Sequence, residues 1–370
     1  MQERSKPDAD PHSGQDDARW ESRRWPAEWE PHRATWLSWP HNIETWPGRL
    51  SAVEDAFVEM VRAILPGEGV RIHAQDDAMG DRVRDRLRGA GCEDLADLEI
   101  YCVPTDDAWI RDHGGIFVLD QAEEGGSVSR RLLDFEFNAW GGKYPSWALD
   151  ARVAGEMARR AGVVSTRSPI LFEAGSIDGD GAGTLLTTES CLLNPNRAGQ
   201  AGQRSHASVE AFLADSFGAR RVLWLGDGIL GDDTDGHVDD LTRFVGPGRV
   251  VTAVCGDSSD GNYAALAENR RRLETMTDAE GRRLEVIALP MPDPLFGPDG
   301  RLPASYSNFY FANHAVLVPT FGVDQDAEAL SILEAAVPDR PIVPIPSQDL
   351  ILGLGAVHCL TQQEPTAPSS

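Results

Sequence analysis

The chain has 370 residues and a net charge of −25, from 34 basic and 59 acidic side chains. Such an excess of acid argues against DNA, RNA or an anionic membrane surface as the main partner and favours a cationic small molecule. At 41% hydrophobic residues the chain carries enough apolar surface to fold, and no apolar run approaches the roughly 18–20 residues of a membrane span.

Residues 1–20 are almost wholly polar and are expected to form a disordered acidic tail, with residues 366–370 as a second tail. Between them, 21–365 reads as one continuous domain. The N-terminus has no apolar core of a secretory signal, which points to a cytoplasmic protein. Lys6 and Lys143 are the lysines among 34 basic residues, so Lys143 stands alone in a fold that otherwise uses Arg. The five cysteines are widely spaced and include no C-x-x-C pair, so they are expected as thiols and not as a disulfide framework or zinc ribbon.

In chain order, strand-like runs fall at 34–39, 99–103, 114–120, 183–188, 221–225, 242–246, 249–254, 285–290, 315–322, 341–346 and 356–361. Apolar residues at helical spacing predict helices over 52–65, 151–162, 207–217, 265–276 and 327–337. Strands outnumber helices by about two to one, which predicts a mixed α/β fold without the regular alternation of a Rossmann fold or TIM barrel. A repeated ββαβ unit fits this count.

Four segments can carry chemistry. Residues Asp106–Gly115 set two carboxylates and Trp109 beside Arg111-Asp112, and paired carboxylates suit a planar guanidinium. The plain structural alternative is an internal Arg111–Asp112 ion pair. In Leu171–Ile177 a lone Glu173 follows an apolar run; by itself it reads as a strand-end charge. The next four residues, Asp178–Gly181, read as a hairpin turn. Residues Asp232–Asp240 hold His237 and Asp239, which share a face if the stretch is extended. A histidine among carboxylates can exchange protons near neutral pH. An acidic turn or a divalent-metal loop are the alternatives there. In Gly353–Gln363, Cys359 follows a glycine-led run and is the best candidate nucleophile. In an extended strand His358 would point to the opposite face from Cys359, leaving His237 as the base. No Walker A, G-x-G-x-x-G or H-E-x-x-H pattern supports a nucleotide or zinc, so neither cofactor nor metal is expected.

Together these segments resemble the agmatine deiminase and bacterial-type peptidylarginine deiminase family of guanidine-modifying enzymes. The resemblance runs from about Trp25 to Pro365, through Pro26–His32, Trp36–Pro40, Asp107–Asp112, Phe137–Tyr144, Thr184–Glu189, Leu193–Arg197, Thr234–Asp239, Pro303–Tyr306, Asn308–Tyr310 and His358–Gln363. It implies the pentein fold, a five-bladed α/β propeller of ββαβ units around a central site. It implies Cys359 as nucleophile, His237 as acid and base, Glu173 orienting that histidine, and Asp107 with Asp239 gripping the guanidinium. Asp233 and Trp109 would contact the substrate. The implied reaction is hydrolysis of agmatine to N-carbamoylputrescine and ammonia through a covalent thiouronium on Cys359.

Three positions depart from the family pattern: Ala174 and Ala356 replace Gly and Asn, and Asp233 replaces a Glu that helps receive the distal amine. The alternatives in this reading are a deiminase for arginine, peptidyl-arginine or another guanidine, an amidinotransferase, or a non-catalytic pentein that binds a partner. The intact Cys359, His237, Glu173, Asp107 and Asp239 set argues against the last. A Cys–His amidase fits the residue types, but paired carboxylates would repel its oxyanion. The sequence leaves homo-oligomerisation open.

Overall fold

The computed structural model describes residues 23–92, 94–121, 127–199, 202 and 204–368. The expected tail over 1–20 lies outside the described residues. Of the second tail, Thr366 donates its backbone N–H to Pro31 O at 2.8 Å.

Four stretches of chain repeat one pattern: two antiparallel strands, a helix, and a third strand parallel to the second. The units are built on the strands Ile116–Asp120, Ser129–Glu136 and Val164–Leu171; Asp178–Gly179, Thr184–Thr188 and Arg221–Leu225; Thr242–Gly246, Arg249–Val254 and Glu285–Pro290; and Tyr310–Phe311, Val316–Thr320 and Ile342–Pro346. Their crossover helices are Val153–Ala161, His206–Phe217, Tyr263–Leu273 and Gln325–Ala336. A fifth unit joins the two ends of the chain. Gln362–Pro365 pairs antiparallel with His32–Ser38, and helix Leu50–Ile64 then crosses to the parallel strand Gly69–Ala74. The fold is thus mixed α/β with ββαβ units, as the strand and helix counts predict.

Periodicity explains the helices. In Leu50–Ile64 the buried residues Val53, Ala56, Phe57, Met60, Val61 and Ile64 recur at three- and four-residue spacing and form one apolar stripe. That stripe packs in one cluster with Leu37, Val70, Ile72 and Leu98 of the adjoining sheet. No helix among the described residues is long and apolar enough to cross a membrane.

Two local expectations change. Residues 356–361 are not a strand: Leu360 N bonds Val357 O at 3.3 Å and Thr361 N bonds His358 O at 3.1 Å, so the chain turns through Cys359 and pairs only from Gln362. Asp178–Gly179 is itself a short strand, and the hairpin turns just beyond it, where Asp180 Oδ1 accepts from Ala182 N and Thr184 N at 2.7 and 2.9 Å.

Candidate active site

A cavity of about 390 Å³ opens between the loops at the ends of these units. Its wall includes seven acidic side chains (Glu44, Asp106, Asp107, Asp112, Asp150, Asp233 and Asp299), the aromatics Trp109, Phe137, Trp140 and Tyr144, and Cys359. Among the described residues, no Arg, Lys or His lines it.

Cys359 is buried in the turn described above. Asn308 fixes that turn: its Oδ1 accepts from His358 N at 2.9 Å, and its Nδ2 lies 3.1 Å from Cys359 Sγ. Cys359 Sγ is 3.9 Å from Asp239 Oδ2. Gly355 permits the close packing here, because a Cβ on it would lie 2.5 Å from the Trp109 ring and 3.2 Å from Cys359 Cβ. Burial, then Asp239, Asp240 and Asp112, push the thiol well above the ordinary cysteine range, while the backbone N–H of Ala356 pulls the other way. Ala356 therefore serves this site through its amide.

His237 lies beneath, buried, with neither ring nitrogen hydrogen-bonded. Its Nδ1 is 3.7 Å from Asp112 Oδ1 and its Nε2 is 3.9 Å from Glu173 Oε2. Burial alone would lower the imidazole, but Asp112, Cys191 and Glu173 override it and hold His237 protonated well above its usual range. The 232–240 segment is not extended as the shared-face reading assumed; Val238–Asp240 is one 3-10 turn. His237 and Asp239 still meet on one side, against Gly175, where a Cβ would lie 2.6 Å from His237 Nδ1 and 3.1 Å from Asp239 Oδ2.

Glu173 is held by Arg197, whose Nε donates to both carboxylate oxygens at 3.1 and 3.3 Å. Burial would raise this acid, but Arg197 and His237 bring it below the usual glutamate range. Glu173, Cys191 and His237 also place three potential metal ligands within 4.8 Å of one another. Arg197 already occupies both oxygens of Glu173, so a metal there would have to displace a buried guanidinium.

The two candidate guanidinium carboxylates differ in setting. Asp239 sits beside the thiol. Asp107 lies on the cavity wall, with Oδ2 accepting from Thr45 Oγ1 at 2.5 Å and Asn42 Nδ2 at 3.1 Å, and Oδ1 accepting from Ala108 N at 2.7 Å. The acid that lines the cavity with Cys359 and faces the underlying His237 is Asp112, for which the sequence reading had weighed an ion pair with Arg111 as the alternative. That ion pair is not made: Arg111 points away to Glu28 at 3.3 Å and Gln363 at 2.7 Å. Asp112 instead accepts from Trp140 Nε1 at 2.9 Å and Gly175 N at 3.3 Å. Burial raises its pKa to about 6 despite His237, with Asp239 and Glu173 adding to the rise. Trp140 reaches it from a backbone at φ 54°, a left-handed conformation costly for a tryptophan.

Asp233 lines the same cavity, held by the Tyr144 hydroxyl, while Lys143 bonds the Asp233 carbonyl and reaches Asp235 Oδ1 at 2.8 Å. Trp109 is buried against Trp46 with ring centroids 5.4 Å apart and lines the cavity. Asp112, Arg197 and Asn308 were all within motifs legible in the sequence; what was missing was which way each side chain points.

Residues 24–365 match the family of Porphyromonas-type peptidyl-arginine deiminases. The chain belongs to this family. It is 37% identical to the agmatine deiminase of Pseudomonas aeruginosa (strain LESB58), over 92% of this chain and 95% of that protein. Among solved structures it resembles the agmatine deiminase of Enterococcus faecalis with a TM-score of 0.84 and 33% identity, covering 94% of this chain and 97% of that one. It also resembles a Cys-to-Ser variant of C. jejuni agmatine deiminase with substrate bound, with a TM-score of 0.82 and 28% identity, covering 93% and 97%. These relatives are hydrolases of guanidine C–N bonds.

Proposed function

We propose that the chain hydrolyses agmatine to N-carbamoylputrescine and ammonia. The observation that carries this is the cavity wall: seven acidic side chains, no basic side chain among the described residues, and a thiol at the floor. Such a wall receives a dication, and it offers nothing to the α-carboxylate of arginine. In this reading the five sheet units are the blades of a pentein propeller around the cavity.

Asp112 and Asp239 grip the guanidinium and fix its plane, and Asp107, the earlier candidate, faces the substrate's chain from the wall. In the resting protein the thiol of Cys359 is held neutral by burial and by the carboxylates around it. A bound guanidinium brings the missing positive charge and favours the thiolate, whose proton leaves to solvent. The thiolate attacks the central carbon, and His237, held protonated, gives its proton to the departing ammonia. The S-alkylthiouronium is then attacked by water, which His237 deprotonates; collapse releases the ureido product and returns Cys359 to its thiol. Glu173, anchored by Arg197, keeps the imidazole in place through both steps.

Ureido product formation across agmatine, arginine, free guanidine and arginyl peptides tests this. Agmatine should exceed arginine in kcat/KM by at least about 100-fold, since an α-carboxylate among these acids costs several kcal/mol. Equal or faster turnover of arginine or of a peptide would replace agmatine as the substrate.

A further inference from the structure

Behind Asp239, away from the cavity, lies a second set of buried charges that the reaction does not use. His358 Nδ1 is 2.7 Å from Asp239 Oδ2, and His358 Nε2 is 2.7 Å from Glu28 Oε2. Glu28 is a fully saturated anchor: Oε1 accepts from Arg243 Nη2 at 2.8 Å and Phe311 N at 2.9 Å, and Oε2 also accepts from Arg111 Nη2 at 3.3 Å. All of these side chains are buried. The backbone of His358 is fixed as well, since its N–H bonds Asn308 and its carbonyl accepts from Arg111 Nε at 3.2 Å.

An imidazole with each nitrogen 2.7 Å from a carboxylate oxygen satisfies both bonds only when both nitrogens carry hydrogen, because ionised carboxylates accept and do not donate. The one oxygen of Asp239 without a partner is Oδ1, which is buried. An acceptor left bare in such a place is costly unless a donor arrives.

We propose that Glu28 and His358 are positioning residues for the substrate. Glu28 clamps the His358 imidazolium, the imidazolium holds Asp239 by Oδ2, and Oδ1 is thereby aimed at a guanidinium N–H. The proposal rests on the guanidine-hydrolase reading and names the parts that orient its carboxylate. His358 does this from the residue next to the nucleophile, so the same turn places the thiol and steers the acid that receives the substrate.

The test separates positioning from packing. In a Cys359→Ser background, agmatine binding is measured by calorimetry with and without His358→Gln, a variant that can reach only one of the two carboxylates. The dissociation constant should rise by at least about tenfold, the usual scale for removing a residue that orients a ligand-binding group. In the Cys359 protein, KM should rise with it, and His358→Ala should lose more than His358→Gln. A lower melting temperature with unchanged binding and unchanged KM would overturn the proposal and leave His358 as core packing. Should His358→Gln not fold, spectra of ¹⁵N-histidine-labelled protein with the His358 signals assigned decide: hydrogen on both ring nitrogens supports the clamp, and hydrogen on one nitrogen alone overturns it. A wild type that turns over no guanidine overturns the proposed function and this assignment together; an active wild type with normal binding in His358→Gln overturns this assignment alone.

Discussion

Asp239 belongs to two buried charge clusters that obey opposite rules. On its inner side, Glu28, Asp178 and Asp239 face two guanidiniums, Arg111 and Arg243, and the His358 imidazole, at 2.7 to 3.3 Å. There burial would raise Glu28, yet Arg243, His358 and Arg111 bring it well below the usual carboxylate range, and Asp239 is lowered too; Asp178, raised by burial in spite of Arg243, is the exception. On its outer side, Asp112 and the wall acids Asp107, Asp150 and Asp233 are all raised, first of all by burial. Neither ring nitrogen of His237 is bonded, and Asp239 Oδ1 is bare. The inner cluster is complete in the folded protein. The outer one has more acid than cation, with the His237 imidazole no nearer than 3.7 Å to Asp112, and the difference shows where structure ends and binding begins: buried ion pairs that fix the fold are satisfied internally, whereas a site leaves charge for its ligand to balance.

Exchanging acids for amides on the two sides should therefore have opposite outcomes, and this is the largest effect expected. Asp112→Asn should lower kcat/KM by roughly 10²–10³-fold, the scale for one preorganised electrostatic contact, with little change in melting, because an amide oxygen can still accept from Trp140 and burial already works against the charge of this acid. Asp107→Asn should lose less. Glu28→Gln leaves Arg111 and Arg243 without their shared anion and should cost about 3–5 kcal/mol of stability, the usual price of stripping one partner from a buried pair. Thermal melts beside steady-state rates measure both. An Asp112→Asn protein with normal kinetics, or a Glu28→Gln protein with normal melting, would erase the contrast.

The outer cluster was more legible in the sequence than the inner one. Cys359, His237 and Asp239 stand out because a thiol, an imidazole and carboxylates in glycine-rich loops are uncommon as core filler, whereas Glu173, a strand-end charge by itself, was legible only through the family resemblance. Glu28, Arg111 and Arg243 are as deeply buried but sit in a turn, a short helix and a strand where a charged residue reads as exposed, and nothing local says that three distant segments meet. Asp112 was hidden by its neighbour: an Arg next to an Asp suggests a pair, while the short helix Ile110–His113 turns the two side chains apart. The same effect hid secondary structure. Gly69–Ala74 escaped as a strand because Arg71 and His73 break its apolar run; Arg71 is buried against Glu364, with its guanidinium 5.1 Å over the Trp36 ring. Helix Asp77–Gly89 escaped because its buried face is only Gly80, Val83 and Leu87, too narrow for a clear helical stripe. Strands Ser129–Glu136 and Val164–Leu171 carry exposed Arg and Ser with little alternation.

A smaller effect sharpens the outer side of the comparison. Asp233 is half-buried at the wall, its Oδ2 taken by Tyr144 and its pKa raised, first of all by desolvation. If it receives the distal ammonium, Asp233→Asn should shrink the agmatine-to-arginine ratio of kcat/KM by about tenfold, most of it in KM, as expected for one charge contact that selects between ligands. Asp233→Glu should preserve the preference. Ratios that stay fixed in Asp233→Asn would make this residue part of the acidic loop and nothing more.

The smallest expected effect is on stability against pH, and it comes from a wall acid that touches no cation. Asp150 accepts from the backbone amides of Asp106 at 2.7 Å and Asp107 at 3.3 Å through Oδ1, yet its pKa is raised to about 8, first by burial and then by the Asp106 and Asp107 charges. Its folded value is above its unfolded one, so between pH 4 and 8 the folded protein holds a proton that the unfolded chain releases. Stability therefore falls as pH rises through this window, by at most roughly 1.4 kcal/mol per pH unit for a single group. His237, also raised on folding, acts in the same direction. Asp150→Asn keeps the acceptor for both amides and removes the titration. Denaturant unfolding at pH 6, 7 and 8 should then show a shallower decline in the variant, with the advantage over wild type greatest at pH 8. A decline as steep as that of wild type would mean that Asp150 is already ionised at pH 6, and that the outer cluster bears its charge without help from a bound proton.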